Sequence, residues 1–165
     1  MIEPFVGGVL LTLLTVAIHI MGLVHLGQLL GIMVSPRLLT RSLWHRSAFL
    51  SVAVLLLILL HLLGAGIWAL YYCWVGEFDG FQTALYFSVV TATSLGYGDI
   101  TLSESWRLLA VFEAMSGLLL FGASTASIFQ LMVKTLPDPL ESRLESAQGR
   151  PRGRHAQPSS RDVDP

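Results

Sequence analysis

The stretch FDGFQTALYFSVVTATSLGYGDITLSESW, running from Phe78 to Trp106, decides how this chain is read. Its first half is semi-polar, and Phe81 to Thr93 is too short to cross a bilayer, which needs about 20 apolar residues in a helix. Asp79 followed by Gln82 has capping-box spacing, a carboxylate at the N-cap and an amide three residues on. The spacing predicts a helix over 80–93 that enters the membrane without crossing it. Ser94-Leu95-Gly96-Tyr97-Gly98-Asp99 follows at once, a polar strip punctuated by glycine. Non-helical backbone at membrane depth is tolerated only where it is buried in protein or lines a water-filled path.

The flanks place the stretch in a membrane. Of the 165 residues, 53% are hydrophobic and 13% charged, with a mean hydropathy of +0.66. Soluble domains carry roughly 25% charge. Three apolar stretches are long enough to span, about 5–34, 48–73 and 108–133, with Glu113 the only charge in the third. Pro36 ends the first, because the residue before a proline is pushed out of helical geometry. That stretch is too long for a cleavable signal, and no Lys or Arg precedes it. The expected fold is all-α, with three transmembrane helices plus a re-entrant helix and loop. The expected division is an extra N-terminal helix over 1–35, a basic loop over 36–47, a two-helix unit over 48–133 and a disordered tail over 134–165. Within the unit, an outer helix covers 48–74 and an inner helix 107–133. The tail is rich in Pro, Ser, Arg and Gly, including GRPRGR at Gly149 to Arg154, and cannot build a core.

Basic residues orient the chain. Arg37, Arg41 and Arg46 lie between spans one and two, and Lys134, Arg143, Arg150, Arg152, Arg154 and Arg161 follow span three. Only Arg107, of the ten Lys and Arg residues, lies between spans two and three. The expected orientation is N-terminus outside and C-terminus cytoplasmic, in a cell (inner) membrane. Trp44, Trp68, Trp74 and Trp106 fall near the span ends, where an aromatic belt belongs. The single cysteine, Cys73, excludes an intrachain disulfide framework, and the net charge of −1 gives no general attraction to nucleic acid.

The strip has a chemical use in this setting. Gly96 and Gly98 permit a backbone of alternating handedness, so successive carbonyls can face one axis. Four such strips stack carbonyl rings that replace a cation's hydration shell. Ser94 adds a hydroxyl at the inner end, and Asp99 concentrates cations at the outer mouth. Tyr97 is expected to point away from the axis and pack on Tyr86 and Phe87 of the short helix.

Ser94-Leu95-Gly96-Tyr97-Gly98-Asp99 resembles the potassium-channel signature T-V-G-Y-G-D, and Thr91-Ala92-Thr93 matches the residues that commonly precede it. Arg107-Leu108-Leu109-Ala110 resembles the start of a pore-lining inner helix, with Gly117 at the usual hinge and Phe121-Gly122 below it. The resemblance covers about 48–133 and is to the two-helix pore unit of small prokaryotic potassium channels, with one helix added in front. It implies passive conduction of potassium, with ions held by the carbonyls of Ser94, Leu95, Gly96 and Tyr97, filter support from Tyr86, Phe87 and Thr91, and gating at Gly117, Gly122 or Glu113. No cofactor is implied beyond the transported ion. Ser94 stands for the usual threonine and Leu95 for the usual valine; neither change removes a carbonyl. Many members of the family carry a carboxylate at the position of Val90, and this chain has none.

Glu113 lies about 10 Å below Trp106 in helix rise. An intramembrane acid is a functional candidate by default. It is expected to bond the back of the short helix at Ser88 or Thr91, either as a pH-responsive gating element or as a structural hydrogen bond. His19 and His61 fall near mid-membrane on antiparallel helices, where a contact is possible. They and His25 are not expected as metal ligands, since no acid or thiol joins them at ligand spacing, and they read as buried neutral histidines in preference to a pH sensor. Gly27 and Gly31 form a G-x-x-x-G pair suited to close helix contact, and the first span is expected to sit peripherally.

One chain supplies one strip and a closed ring needs four, so the expected assembly is a homotetramer in the lipid bilayer. The alternatives are a weakly selective monovalent-cation channel, with Ser94 and Leu95 loosening the strip, and a non-conducting subunit of a partner channel. A proton-coupled transporter needs an internal repeat, and none is visible. No span carries arginine at every third position, which excludes the usual voltage sensor, and no P-loop, catalytic triad or metalloprotease motif marks an enzyme.

Overall fold

In the computed structural model, which describes residues 2–33 and 43–135, the fold is entirely helical. Three helices are long and apolar enough to cross a membrane: α1 (Ile2–Met33), α2 (Leu43–Trp74) and α4 (Arg107–Thr135). The fourth, α3 (Phe81–Ala92), has 12 residues. At 1.5 Å per residue it is about 18 Å long, well short of a hydrocarbon core of about 30 Å. Helix α2 begins at Leu43 rather than 48, so the end of the expected basic loop is helical. Arg37, Arg41, the surroundings of Gly31 and the expected tail beyond Thr135 lie outside the described residues.

Burial follows the logic of a bilayer rather than of water. The buried residues of α2, among them Phe49, Ala53, Leu57, Ala65, Trp68 and Tyr72, recur at spacings of three, four and eight positions along one stripe. Leu55, Leu59, Leu63 and Leu70 face outward. On α4 the pattern is inverted: the buried stripe holds Leu109, Glu113, Ser116, Gly117, Leu120 and Ser124, whereas Met115, Leu118 and Leu119 are exposed. Lipid solvates leucine as well as protein does, so small and polar residues turn inward, where they pack closely or hydrogen-bond.

Two elements depart from the sequence-based expectation. The capping box does not form; the N-cap of α3 is Gly80, in extended geometry (φ −135°, ψ 135°), with no side-chain cap. Trp68 does not join an aromatic belt, being 2% exposed in the core beside Tyr72, whereas Trp44 and Trp74 are 85% and 79% exposed.

The packing of α1 is lopsided. Within the chain it packs on α4 more extensively than on the outer helix α2, and more extensively than α2 itself packs on α4. Small residues bring it in. A Cβ at Gly8 would strike the Phe112 ring, and at Gly22 the Leu60 side chain. Phe5 meets Phe112 edge-on, with centroids 5.5 Å apart. The His19 ring Nε2 lies 3.0 Å from Ser124 Oγ, joining the middle of α1 to the lower half of α4. Gly27, one half of the expected contact pair, has nothing within 4 Å of its Cβ position. At the far end, Arg46 Nη1 donates to the Thr135 carbonyl at 3.2 Å, satisfying an orphan acceptor of the α4 terminus.

Candidate functional site

The strip after α3 is held by the helix that precedes it. Ser94 N–H donates to the Thr91 carbonyl at 2.9 Å, and the N–H groups of Leu95 and Gly96 both converge on the Val90 carbonyl, at 3.0 and 3.3 Å. These bonds close the helix terminus and anchor the inner end of the strip. Positive φ then recurs at alternate residues: Ser94 at 57°, Gly96 at 55° and Gly98 at 76°. Leu95 and Tyr97 stay in the ordinary half of backbone space. The two glycines take this geometry without a Cβ clash, whereas Ser94 is the only non-glycine residue with positive φ among the described residues. That strain, of order 1–3 kcal/mol, gave no signal in the sequence. Alternation of this kind turns successive peptide planes so that their carbonyls share one side. Within one chain that side is open, and every residue from Ser94 to Asp99 is exposed.

The outer end of the strip is tied down differently from expectation. Among the described residues Tyr86 and Tyr97 form no ring pair; the Tyr86 hydroxyl donates to Asp99 Oδ2 at 2.9 Å. This bond also holds the Tyr86 phenol above its ordinary range. Phe87 turns the other way, into the core against Tyr72 and Phe78, with centroids 5.3 and 5.2 Å apart. Tyr97 is 66% exposed and, among the described residues, stacks on no ring. Beyond Asp99, Glu77 accepts from the Ser103 N–H at 2.7 Å and from its hydroxyl at 2.6 Å. The turn after α2 is thereby clamped to the loop that returns from the strip.

Behind α3 stands Glu113. It is fully buried, and its carboxyl group joins three helices. Tyr72 of α2 donates to Oε2 at 2.7 Å, Ser88 of α3 contacts Oε1, and Ser88 Oγ also lies 2.8 Å from the Ala65 carbonyl. Ser88 was one of the two hydroxyls expected from the sequence; Thr91 is not a partner. One hydroxyl hydrogen cannot serve both Ala65 and Glu113. The arrangement is complete when a carboxyl proton on Oε1 donates to Ser88 Oγ, Ser88 donates to Ala65, and Tyr72 donates to Oε2. Tyr72 was missed in the sequence, although it lies on α2 near the extracellular depth expected of Glu113, and a lone intramembrane acid needs donors.

This hydrogen count makes a testable distinction. Glu113→Gln places an NH2 against Ser88 and a carbonyl beneath Tyr72, so thermal stability should stay close to wild type. Glu113→Ala leaves the Tyr72 hydroxyl buried without a partner, which costs about 1–3 kcal/mol, and opens a cavity besides. Thermal unfolding in detergent should therefore rank wild type and Gln together and Ala clearly below them.

Gly117 lies directly under the end of α3. A Cβ there would overlap the Ala92 carbonyl oxygen and sit 2.9 Å from its carbon. Gly122, one turn further down, has open space. The two glycines expected to be hinges are thus in different circumstances. His19 and His61 do meet, with ring centroids 4.5 Å apart, and His61 stacks on Phe121 at 4.1 Å. Among the described residues, no three His, Cys, Asp or Glu side chains gather as a metal site.

With this geometry in hand, the comparisons are informative. Residues 55–134 match the family model described as ion channel, a span that runs from the middle of α2 through α3 and the strip to the end of α4. The voltage-gated potassium channel Kch of Escherichia coli (strain K12) is 40% identical over 57 residues. Those residues are 34% of this chain and 14% of that protein. No solved structure matches the chain. Residues 55–134 thus carry a likeness to ion channels, and α1, itself long and apolar enough to cross a membrane, precedes the matched region.

Proposed function

We propose that four copies of this chain assemble around one axis as a potassium-selective channel of the cell membrane, N-terminus outside and C-terminus cytoplasmic. The observation that carries the reading is the alternation of positive φ at Ser94, Gly96 and Gly98. It directs the carbonyls of Ser94, Leu95, Gly96 and Tyr97 to one side, where three further copies complete rings that replace the hydration shell of potassium. The Val90 carbonyl fixes the inner end of each strip and Tyr86–Asp99 the outer end. These anchors keep the rings at a set spacing in spite of the looser packing that Ser94 and Leu95 bring. Asp99 adds negative charge at the mouth and attracts cations there.

Glu113 acts in this reading as a positioning residue. It locks the inner helix to the back of the pore helix and leaves the permeation path to backbone carbonyls. Flow is passive, with gating assigned to the inner helix about Gly117 and Gly122 and to the strip itself. Nothing in this scheme calls for a cofactor or a catalytic group.

Flux from liposomes tests the proposal. Purified protein should release potassium, and its blockade or substitution by sodium should reduce the flux by about a hundredfold. Equal rates for the two ions point to a weakly selective cation channel. Silence in liposomes of every composition, with currents only beside a partner channel, points to a regulatory subunit.

A further inference from the structure

The start of α1 and the end of α2 leave a groove of about 550 Å³ between them. A Cβ at Gly7 would strike the Tyr71 hydroxyl, so this glycine lets the helices approach and floors the groove. Leu10 and Leu14 wall its deeper part, and Glu3, Tyr71 and Trp74 stand at its mouth. The Tyr71 and Trp74 rings lie 5.5 Å apart, and Trp74 is 79% exposed. From Glu3 to Leu14 the helix rises about 16 Å, close to half of a hydrocarbon core of about 30 Å. The groove therefore has the length of one lipid leaflet, polar at the interface and apolar beneath it.

The polar groups at the mouth are unengaged. Glu3 stands one turn above Gly7 on the same helix face, near the Tyr71 hydroxyl. Neither group has a hydrogen-bond or ion-pair partner among the described residues. This end of the bundle carries Glu3, Glu77, Asp79, Asp99 and Glu104, and its one basic residue, Arg107, already pairs with Glu104 at 3.7 Å. Such a surface repels an anionic headgroup and attracts a cationic one. A carboxylate beside aromatic faces suits an ammonium group. The Tyr71 hydroxyl and the Trp74 indole N–H are donors, and so suit a phosphate.

We infer that the groove binds a phospholipid with a primary-ammonium headgroup, a phosphatidylethanolamine. Its ammonium donates to the Glu3 carboxylate beside the two rings, its phosphate accepts from the Tyr71 hydroxyl, and one acyl chain lies along Gly7, Leu10 and Leu14. The lipid splints α1 to α2 at the membrane surface. The inference needs these helices to lie in a bilayer and does not depend on conduction.

Native mass spectrometry of the full chain tests it, with dioleoyl lipids that differ only in headgroup. Phosphatidylethanolamine should be retained about three- to tenfold more tightly than phosphatidylglycerol, which carries no cation, and than phosphatidylcholine, whose ammonium has no hydrogen to donate. Glu3→Gln should bring the three lipids to within about twofold of one another, as expected when one exposed ion pair is lost. Leu10→Trp should weaken all three by filling the groove. Both positions are exposed, so both variants keep the fold. A preference for phosphatidylethanolamine that survives Glu3→Gln overturns the inference, as does equal retention of the three lipids by wild type. Retention unchanged in Leu10→Trp also overturns it, because the lipid then lies elsewhere. So does a protein that keeps no lipid of any headgroup, the result expected if a second copy covers the groove.

Discussion

Replacing Gly96 by alanine should abolish potassium flux while leaving the protein folded and tetrameric. Gly96 has φ 55°, and nothing lies within 4 Å of its Cβ position in the chain, so the effect is one of backbone rather than of packing. An L-residue in the left-handed region costs about 1–2 kcal/mol, or about 4–8 kcal/mol summed over four chains. The strip relieves that strain by rotating the peptide between Leu95 and Gly96, which turns a carbonyl off the axis and breaks a ring. That rotation gives up the Gly96 N–H bond to Val90, but the helices are untouched, because the Ser94 bond to Thr91 and the Leu95 bond to Val90 lie outside the rotated peptide. Flux from liposomes should fall by at least about a hundredfold, with an unchanged tetramer by native mass spectrometry. Ser94 already occupies a similar φ, but there a helix terminus closed by the Thr91 carbonyl holds it. Gly96 lacks a rigid support of that kind on its outer side. Potassium flux that survives Gly96→Ala contradicts this account of the strip.

Gly117→Ala should have the second largest effect, and Gly122→Ala should leave stability unchanged or slightly raised. At Gly117 the new Cβ meets the backbone of Ala92 at the end of the pore helix, and backbone cannot turn aside as a side chain can. Overpacking of this kind typically costs about 1–3 kcal/mol, and here relief requires moving α3 and with it the inner anchor of the strip. Thermal stability and flux should fall together. At Gly122 the Cβ enters open space, and the gain in helix propensity favours alanine by about 0.5–1 kcal/mol. A pure hinge at Gly117 predicts otherwise: altered opening with stability unchanged or raised. Measuring the melting temperature and flux of both variants separates a glycine required for close approach from one required for bending.

Much of the architecture was legible because membrane helices announce themselves by length, and because GYGD after a short apolar segment has few physical uses. The ends of α3 and α4 came within a residue or two of the expected ones. What the sequence did not disclose were choices among near-equivalent groups. Gly7, Gly8, Gly22 and Gly27 all permit close contact, and only tertiary placement selects Gly7 beside Tyr71, Gly8 beneath Phe112 and Gly22 beneath Leu60. Gly27, half of the pair that spacing singled out, has nothing within 4 Å of its Cβ position, and α1 packs chiefly along α4. Tyr86 and Phe87 are adjacent and so point in different directions from one helix. One bonds Asp99 and the other enters the core, which no spacing rule distinguishes from two residues flanking Tyr97. Glu113 stood out as a lone acid, and its Ser88 contact followed from depth. Tyr72, 41 residues away on another helix, required the fold.

The placement of α1 has a further consequence for the inner helix. Phe5 contacts it above Gly117, at Phe112, and His19 contacts it below, at Ser124. A single rigid helix thus touches both halves of the element assigned to gating, and bending at Gly117 must loosen one of the two contacts.

The most direct test of the central claim is to crystallise the protein in thallium and record anomalous diffraction, thallium being a heavy stand-in for potassium. The account predicts four chains about one axis and a column of anomalous peaks on it, between the carbonyls of Ser94, Leu95, Gly96 and Tyr97. An axis without peaks, or an assembly in which the four strips do not meet, would contradict it.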